Sequence, residues 1–167
     1  MAYCVVRTDL MSGTKQPADL VSLRFYNDEG APAAVENGVI VKLVGLDDGE
    51  REVYKAVAAK AGDDLNECVL VAGVEMMYDE RKVNLDEYIN EAEHITRGYV
   101  LRSRNIFSVT APGFVGETVP TKDAEVGIGA GGKLNASGSG FGKCIHIENA
   151  GRYTYYAIQI GKTESAA

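Results

Sequence analysis

The sequence predicts a mainly β fold: a β-barrel or β-sandwich-like domain with one short helix and an extended N-terminal arm. Three observations carry that prediction. Short runs rich in Val, Ile, Tyr and Phe recur along the chain, several of them alternate with period two, and Gly-, Asp- and Asn-bearing turns separate them. Regular short strands punctuated in this way suit an all-β barrel or sandwich.

Taken in order, YCVV (3–6) is the first strand-like run. DLMSGTKQPADL (9–20) contains Gly, Pro, Ser and Thr and reads as an ordered loop or extended arm. VSLRFY (21–26) is a second strand. VIVKLVGL (39–46) and REVYKAVA (51–58) flank DDGE (47–50), and Asp-Gly permits the positive φ of a tight turn, so the pair is expected to form a hairpin. CVLVAGV (68–74) follows as a further strand.

VNLDEYINEAEH (83–94) breaks the pattern. Leu85, Tyr88, Ile89 and Ala92 fall at i, i+3, i+4 and i+7, Asn84 is placed to cap, and Glu87 stands at the third position of a capping box. The spacing predicts a helix with His94 at its C-terminal end. The alternative is a loop that packs Leu85 and Tyr88 under the barrel.

GYVLRS (98–103) and IFSVTA (106–111) return to strand texture. AEVGIGAGG (124–132) reads as a strand that bends sharply or lies close to a neighbouring backbone, followed by a turn, with ASGSG (136–140) as a flexible connection. GKCIHIEN (142–149) and RYTYYAIQI (152–160) pair across the Asn149-Ala150-Gly151 turn. The expected organisation is an arm with the first strands over 1–35, a β-rich domain over 36–161 and a flexible tail, KTESAA, over 162–167.

The net charge of −7 is unevenly spread. Residues 27–95 hold 17 acids against 6 bases, whereas residues 96–167 hold 8 bases against 5 acids. An acidic chain without a Lys/Arg cluster argues against nonspecific nucleic-acid binding, which depends on neutralising phosphates. The asymmetry favours contact between unlike protein surfaces, including head-to-tail contact, although a solvated acidic face reads the same way. No apolar run reaches the ~18 residues of a membrane span, and the N-terminal residues lack signal-peptide character, so synthesis and use in a cytoplasm, or assembly there into something larger, are expected.

The glycine stretch invites a nucleotide-site reading. Gly127, Gly132 and Lys133 match phosphate-loop spacing, and Gly127, Gly129 and Gly132 match the dinucleotide fingerprint. Leu134 stands where the Mg²⁺-holding hydroxyl belongs, and the glycine-rich NASGSGFGK that follows is a poor helix. No β-α-β alternation surrounds it. The expectation is therefore structural.

No other catalytic, cofactor or metal site is expected. Cys4, Cys68 and Cys144 are dispersed and read as small buried hydrophobes. Cys144, His146 and Glu148 alternate, but neighbours on one straight strand face are about 7 Å apart and do not share an ion. The pairs Asp47-Asp48, Asp63-Asp64, Asp79-Glu80 and Asp86-Glu87 read as turns and solvated edges. No Gly-x-Ser-x-Gly elbow and no Asp-x-Asp-x-Asp-Gly loop occurs. The middle segment instead mixes Tyr with Arg, the residues enriched where proteins meet. Tyr78, Arg81, Tyr88, Arg97, Arg102 and Arg104 are the candidate interface, with tyrosines of a β core as the competing reading.

ENGVIVKLVGL and GEREVYKAVA, then YDERKVNLDEYINEAEHITRGYVLRSRNIFSVTA, then GRYTYYAIQI resemble head decoration (capsid cement) proteins of tailed bacteriophages, over roughly residues 36–161. The resemblance implies a β-barrel-like, non-enzymatic virion protein, trimeric at local threefold sites. It implies attachment to the major capsid protein on the outside of the assembled shell, which it stabilises against internal DNA pressure. Other classes consistent with the residues are a tail-tube, adaptor or fibre-associated β protein, and a small ligand-binding barrel or hydrolase.

Overall fold

The structure, a computed structural model, describes residues 2–11 and 19–161. Among the described residues ten strands form two units. The strands are β1 (Leu20–Phe25), β2 (Ile40–Leu46), β3 (Val53–Ala58), β4 (Cys68–Val71), β5 (Thr96–Val100), β6 (Ile106–Val109), β7 (Glu125–Ile128), β8 (Leu134–Asn135), β9 (Gly142–Ala150) and β10 (Tyr153–Ile160). β1 to β5 close a barrel in the order β1-β3-β2-β4-β5. β1 and β3 run parallel; the other neighbours, including the closing β5–β1 pair, are antiparallel. β6 to β10 make a second sheet in the order β6-β10-β9-β7-β8.

One wall serves both units. In β4 every residue is buried. Val69 and Val71 point into the barrel beside Leu23, Val41 and Ala56. Cys68 and Leu70, on the opposite face, join Ile40 against Phe107, Phe114, Phe141 and Ile158 of the second unit. Successive strand residues face opposite ways, so an unbroken apolar run is what a strand buried on both faces requires. Phe107, Phe114, Phe141, Leu70 and Ile158 are all at most 2% exposed, which places the second core at this junction.

The expected hairpins form. β2 and β3 pair antiparallel across Asp47–Gly49, where Gly49 takes φ 79°. β9 and β10 pair along their length across the 149–151 turn. Residues 3–6 are buried for the most part but form no strand: Val6 makes a single bridge to Val109, and the Thr110 hydroxyl accepts from the Val5 amide at 3.0 Å. The run at 68–74 is strand only as far as Val71. Residues 12–18 of the expected arm and the tail 162–167 lie outside the described residues.

The helix expected over 83–94 is corrected to a single 3₁₀ turn, Leu85–Glu87. The capping box is present, with Glu87 Oε2 accepting from the Asn84 amide at 2.9 Å, yet Tyr88 is already extended. The reason is competition from a neighbour: Asn90 and Val35 exchange both backbone hydrogen bonds, at 2.9 and 3.0 Å, which an α-helix through residue 90 would forfeit. His94 consequently ends no helix and is simply exposed. Of the alternative, a loop that packs Leu85 and Tyr88 under the barrel, the loop is seen and Tyr88 is half-buried with its hydroxyl donating to Asn90 Oδ1 at 3.0 Å, whereas Leu85 is 41% exposed.

Candidate functional site

The glycine stretch is packing. Lys133 follows a 3₁₀ turn, Ala130–Gly132, and starts no helix. Its Nζ donates to Glu36 Oε1 at 2.6 Å and to the Pro112 carbonyl at 3.0 Å, so its charge is directed inward and neutralised. A Cβ on Gly132 would lie 2.2 Å from the Ile40 carbonyl oxygen, at φ +74°. A Cβ on Gly127 would lie 2.9 Å from the Ser139 amide nitrogen. These glycines let backbones touch, and Asp63 and Asp64, on the wall of the hollow beside Ser139 and Gly140, are of the wrong sign for phosphate.

The Cys144, His146 and Glu148 face does not survive either. A bulge shifts the register so that Cys144 opposes Ile158 and His146 opposes Ala157. Cys144 is therefore buried while His146 and Glu148 are exposed. The three thiols are free and buried. Burial pushes Cys4 up to about 12 and Cys68 up to about 11, which leaves them protonated and unreactive at neutral pH. Among the described residues no three His, Cys, Asp or Glu side chains sit together as metal ligands. The acidic pair at 47–48 needs correction as well: Asp47 is 5% exposed and accepts hydrogen bonds from Tyr26 Oη, at 2.7 Å, and from Arg24.

The prominent concave feature lies at one end of the barrel. It is a cleft of about 700 Å³, formed where the β4–β5 connection, residues 72–95, folds over the start of β5. Its floor is a buried polar network. Asn90 Nδ2 donates to the Val35 carbonyl and to Asn37 Oδ1, both at 2.9 Å. Asn90 Oδ1 accepts from Thr96 Oγ1 at 2.6 Å and from Tyr88 Oη at 3.0 Å. Asn37 closes the set with Gly73, through bonds of 2.8 and 3.0 Å. A Cβ on Gly73 would meet Asn90 Oδ1 at 2.2 Å, so glycine is required for close approach. Every buried polar side-chain atom described has a partner, which makes this floor rigid.

The walls are different. Val74, Met76 and Tyr78 alternate outward and are 58%, 62% and 91% exposed. Among the described residues eleven large apolar side chains are exposed, and Val74, Met76, Tyr78, Val83, Leu85 and Ile95 are six of them. A concentration of this kind on one connection marks a contact surface, where scattered single residues would not. The charges nearby are mostly spoken for. Arg81 forks onto Asp79 and holds that carboxyl below its usual range. The Asn84 and Val83 amides do the same to Glu87.

Of the six candidate interface residues, Tyr78, Tyr88 and Arg97 line the cleft, and Arg81 sits on its rim beside Asp79 and Lys82. Tyr88 is half-buried with its hydroxyl pushed up by burial. Arg102 and Arg104 follow the far end of β5: Arg102 is bound to buried Asp19 at 2.6 Å, and Arg104 is exposed beside Ile160. The structure thus divides the set between two ends of the molecule. The cleft residues that sequence reasoning missed are Val74, Met76, Met77 and Ile95. For Val74 and Met76 the signal is in VEMMYDE, where Val74, Met76 and Tyr78 share one register of a strand-like alternation and Glu75 and Asp79 the other; Met77 and Ile95 carry no such mark. No protein-family model, no curated protein and no solved structure matches the chain.

Proposed function

We propose that this protein acts by adhering to other proteins, with no reaction of its own, as a head decoration protein that binds the outer surface of an assembled phage capsid and stabilises it. The observation that carries the reading is the exposed apolar set on the 72–95 connection: Val74, Met76, Tyr78 and Ile95 line the cleft over its rigid polar floor, and Val83 and Leu85 stand exposed on the same connection. Fully burying one such side chain is worth roughly 1.5–3 kcal/mol, so partial cover by a partner supplies a modest contact. Modest contacts repeated over a shell are sufficient, because linked sites bind with multiplied avidity. The phage setting itself rests on the sequence resemblance. In this reading the partners are the major capsid protein and further copies of this chain as a trimer, and the location is the capsid exterior after synthesis in the host cytoplasm.

Purified protein added to undecorated capsids of the same phage tests this. Saturable binding and a raised threshold for shell rupture are expected. Absence of binding, or labelling of the tail in negative-stain images, overturns the capsid assignment.

A further inference from the structure

The two ends between which the candidate residues divide carry opposite charge, and two separate strands fix that polarity. β5 begins at Thr96 and Arg97 in the cleft and ends at Val100, directly before Arg102 and Arg104. In the second sheet the β9–β10 hairpin runs the same course. At its turn, Arg152 and Tyr153 bind Asp86 of the cleft segment, at 3.2 and 3.0 Å. At its open end, Ile160 exchanges backbone hydrogen bonds with the 104–105 stretch at 2.9 Å, and Cys144 accepts from the Asp123 amide at 2.7 Å. Lys143 pairs in register with Glu125 there. β9 has nine residues, so the turn and the open end stand about 25–30 Å apart.

The cleft segment, 72–95, holds seven acids against two bases. Arg97 also lines the cleft, and Arg81 and Arg152 pair with Asp79 and Asp86, so the excess of acid at this end lies in Glu80, Glu91 and Glu93. The opposite end presents Arg104, Lys122 and Lys143, all exposed, beside Arg102. Its exposed acids are Asp123, which pairs with Lys143 at 3.2 Å, and Glu125. Val119, 36% exposed, lies in the same 118–124 loop as Lys122 and supplies an apolar contact.

We propose that the cleft is occupied by the basic end of a second copy of this chain, so that copies join head to tail. The inference deepens the part of the reading above in which copies associate, and it does not need a capsid. A two-fold junction would place acidic segment on acidic segment, leaving Glu91 in the cleft and the exposed Glu80 and Glu93 beside it facing their own kind. A head-to-tail junction sets them against Arg104 and Lys122 and covers the apolar wall at the same time. Contacts of this type close into rings when the rotation allows.

The test is sedimentation velocity of three proteins at low ionic strength, with circular dichroism confirming each fold. Wild type is expected to associate, and to dissociate as salt screens the junction. Tyr78→Arg with Glu91→Lys disables the cleft alone, and Arg104→Gln with Lys122→Gln disables the basic end alone without creating an acidic partner for the altered cleft. Each double variant is expected to be monomeric. Their equimolar mixture retains one intact cleft and one intact basic end, so it forms dimers and nothing larger. A wild type that stays monomeric overturns the proposal, as does a double variant that assembles like wild type or a mixture that remains monomeric. Capsid binding is read in a separate experiment, so failure of self-association leaves the decoration reading to stand or fall by itself.

Discussion

Two stretches of this molecule, 126–140 and 72–95, use their residues in opposite ways. The first resembles a ligand loop in sequence and is filled by the protein itself: its glycines meet the Ile40 carbonyl and the Ser139 backbone, and its lysine is held by Glu36 and Pro112. The second carries helical spacing and instead stays extended, anchored from below by Asn90 and Thr96 and bare above at Val74, Met76 and Tyr78. A segment is available for function when its own backbone is satisfied while its side chains are not covered. The glycine stretch meets the first condition alone, and the 72–95 connection meets both.

Substitutions sharpen that contrast. Gly132→Ala should be the most damaging, since it adds a methyl at 2.2 Å from a carbonyl oxygen in a left-handed backbone. A loss of about 3 kcal/mol or more in urea unfolding is expected. Asn90→Ala removes two donors and an acceptor from the cleft floor and should cost about 2–3 kcal/mol. It should also speed amide exchange across 72–95. If exchange there is unchanged, the floor does not hold the segment. Lys133→Ala leaves half the Glu36 carboxylate unpaired and should cost about 1 kcal/mol, with no change in nucleotide affinity by calorimetry.

A smaller effect is expected from pH. The Tyr26 hydroxyl bond, with Arg24 beside it, holds the Asp47 carboxyl below its ordinary range, and Arg24 Nε also donates to the Glu93 carbonyl at 2.9 Å. A depressed carboxylate stabilises the fold above its unfolded pKa of about 3.9, and that contribution is lost as pH falls through the folded value. Tyr26→Phe should therefore raise the pH at which acid unfolds the protein. An unshifted acid midpoint would mean that the Tyr26 bond contributes nothing. Tyr78→Ala should change stability least, by under about 0.5 kcal/mol, because the ring is 91% exposed, while weakening attachment to capsids or to other copies. A large stability loss with unchanged binding would reverse the assignment of 72–95.

Much of the β framework was legible. The β2–β3 and β9–β10 hairpins are local objects, set by turn residues between alternating runs. The strand at Gly127 was legible as one that bends sharply or touches a neighbouring backbone, and its contact with the Ser139 backbone selects the second. The candidate site was legible only in part. Tyr78, Arg81, Tyr88 and Arg97 gather at the cleft, whereas Arg102 and Arg104, close in sequence, are carried to the far end by the length of β5. The bulge that separates Cys144 from His146 left no mark in an otherwise regular alternation.

By itself, then, the amino-acid sequence determined most of the strands, where most of them turn and that the charge is divided between two halves of the chain, while the run at 3–6 forms no strand. Those properties depend on side-chain periodicity and local φ preference, which act over a few residues. Only the tertiary structure decided that five strands close while five remain an open sheet, that β4 is shared by two cores, and that residues 83–94 forgo a helix. Each of those outcomes turns on a partner distant in the chain, such as Val35 for Asn90 or Phe107 for Leu70, and no local preference encodes a distant partner.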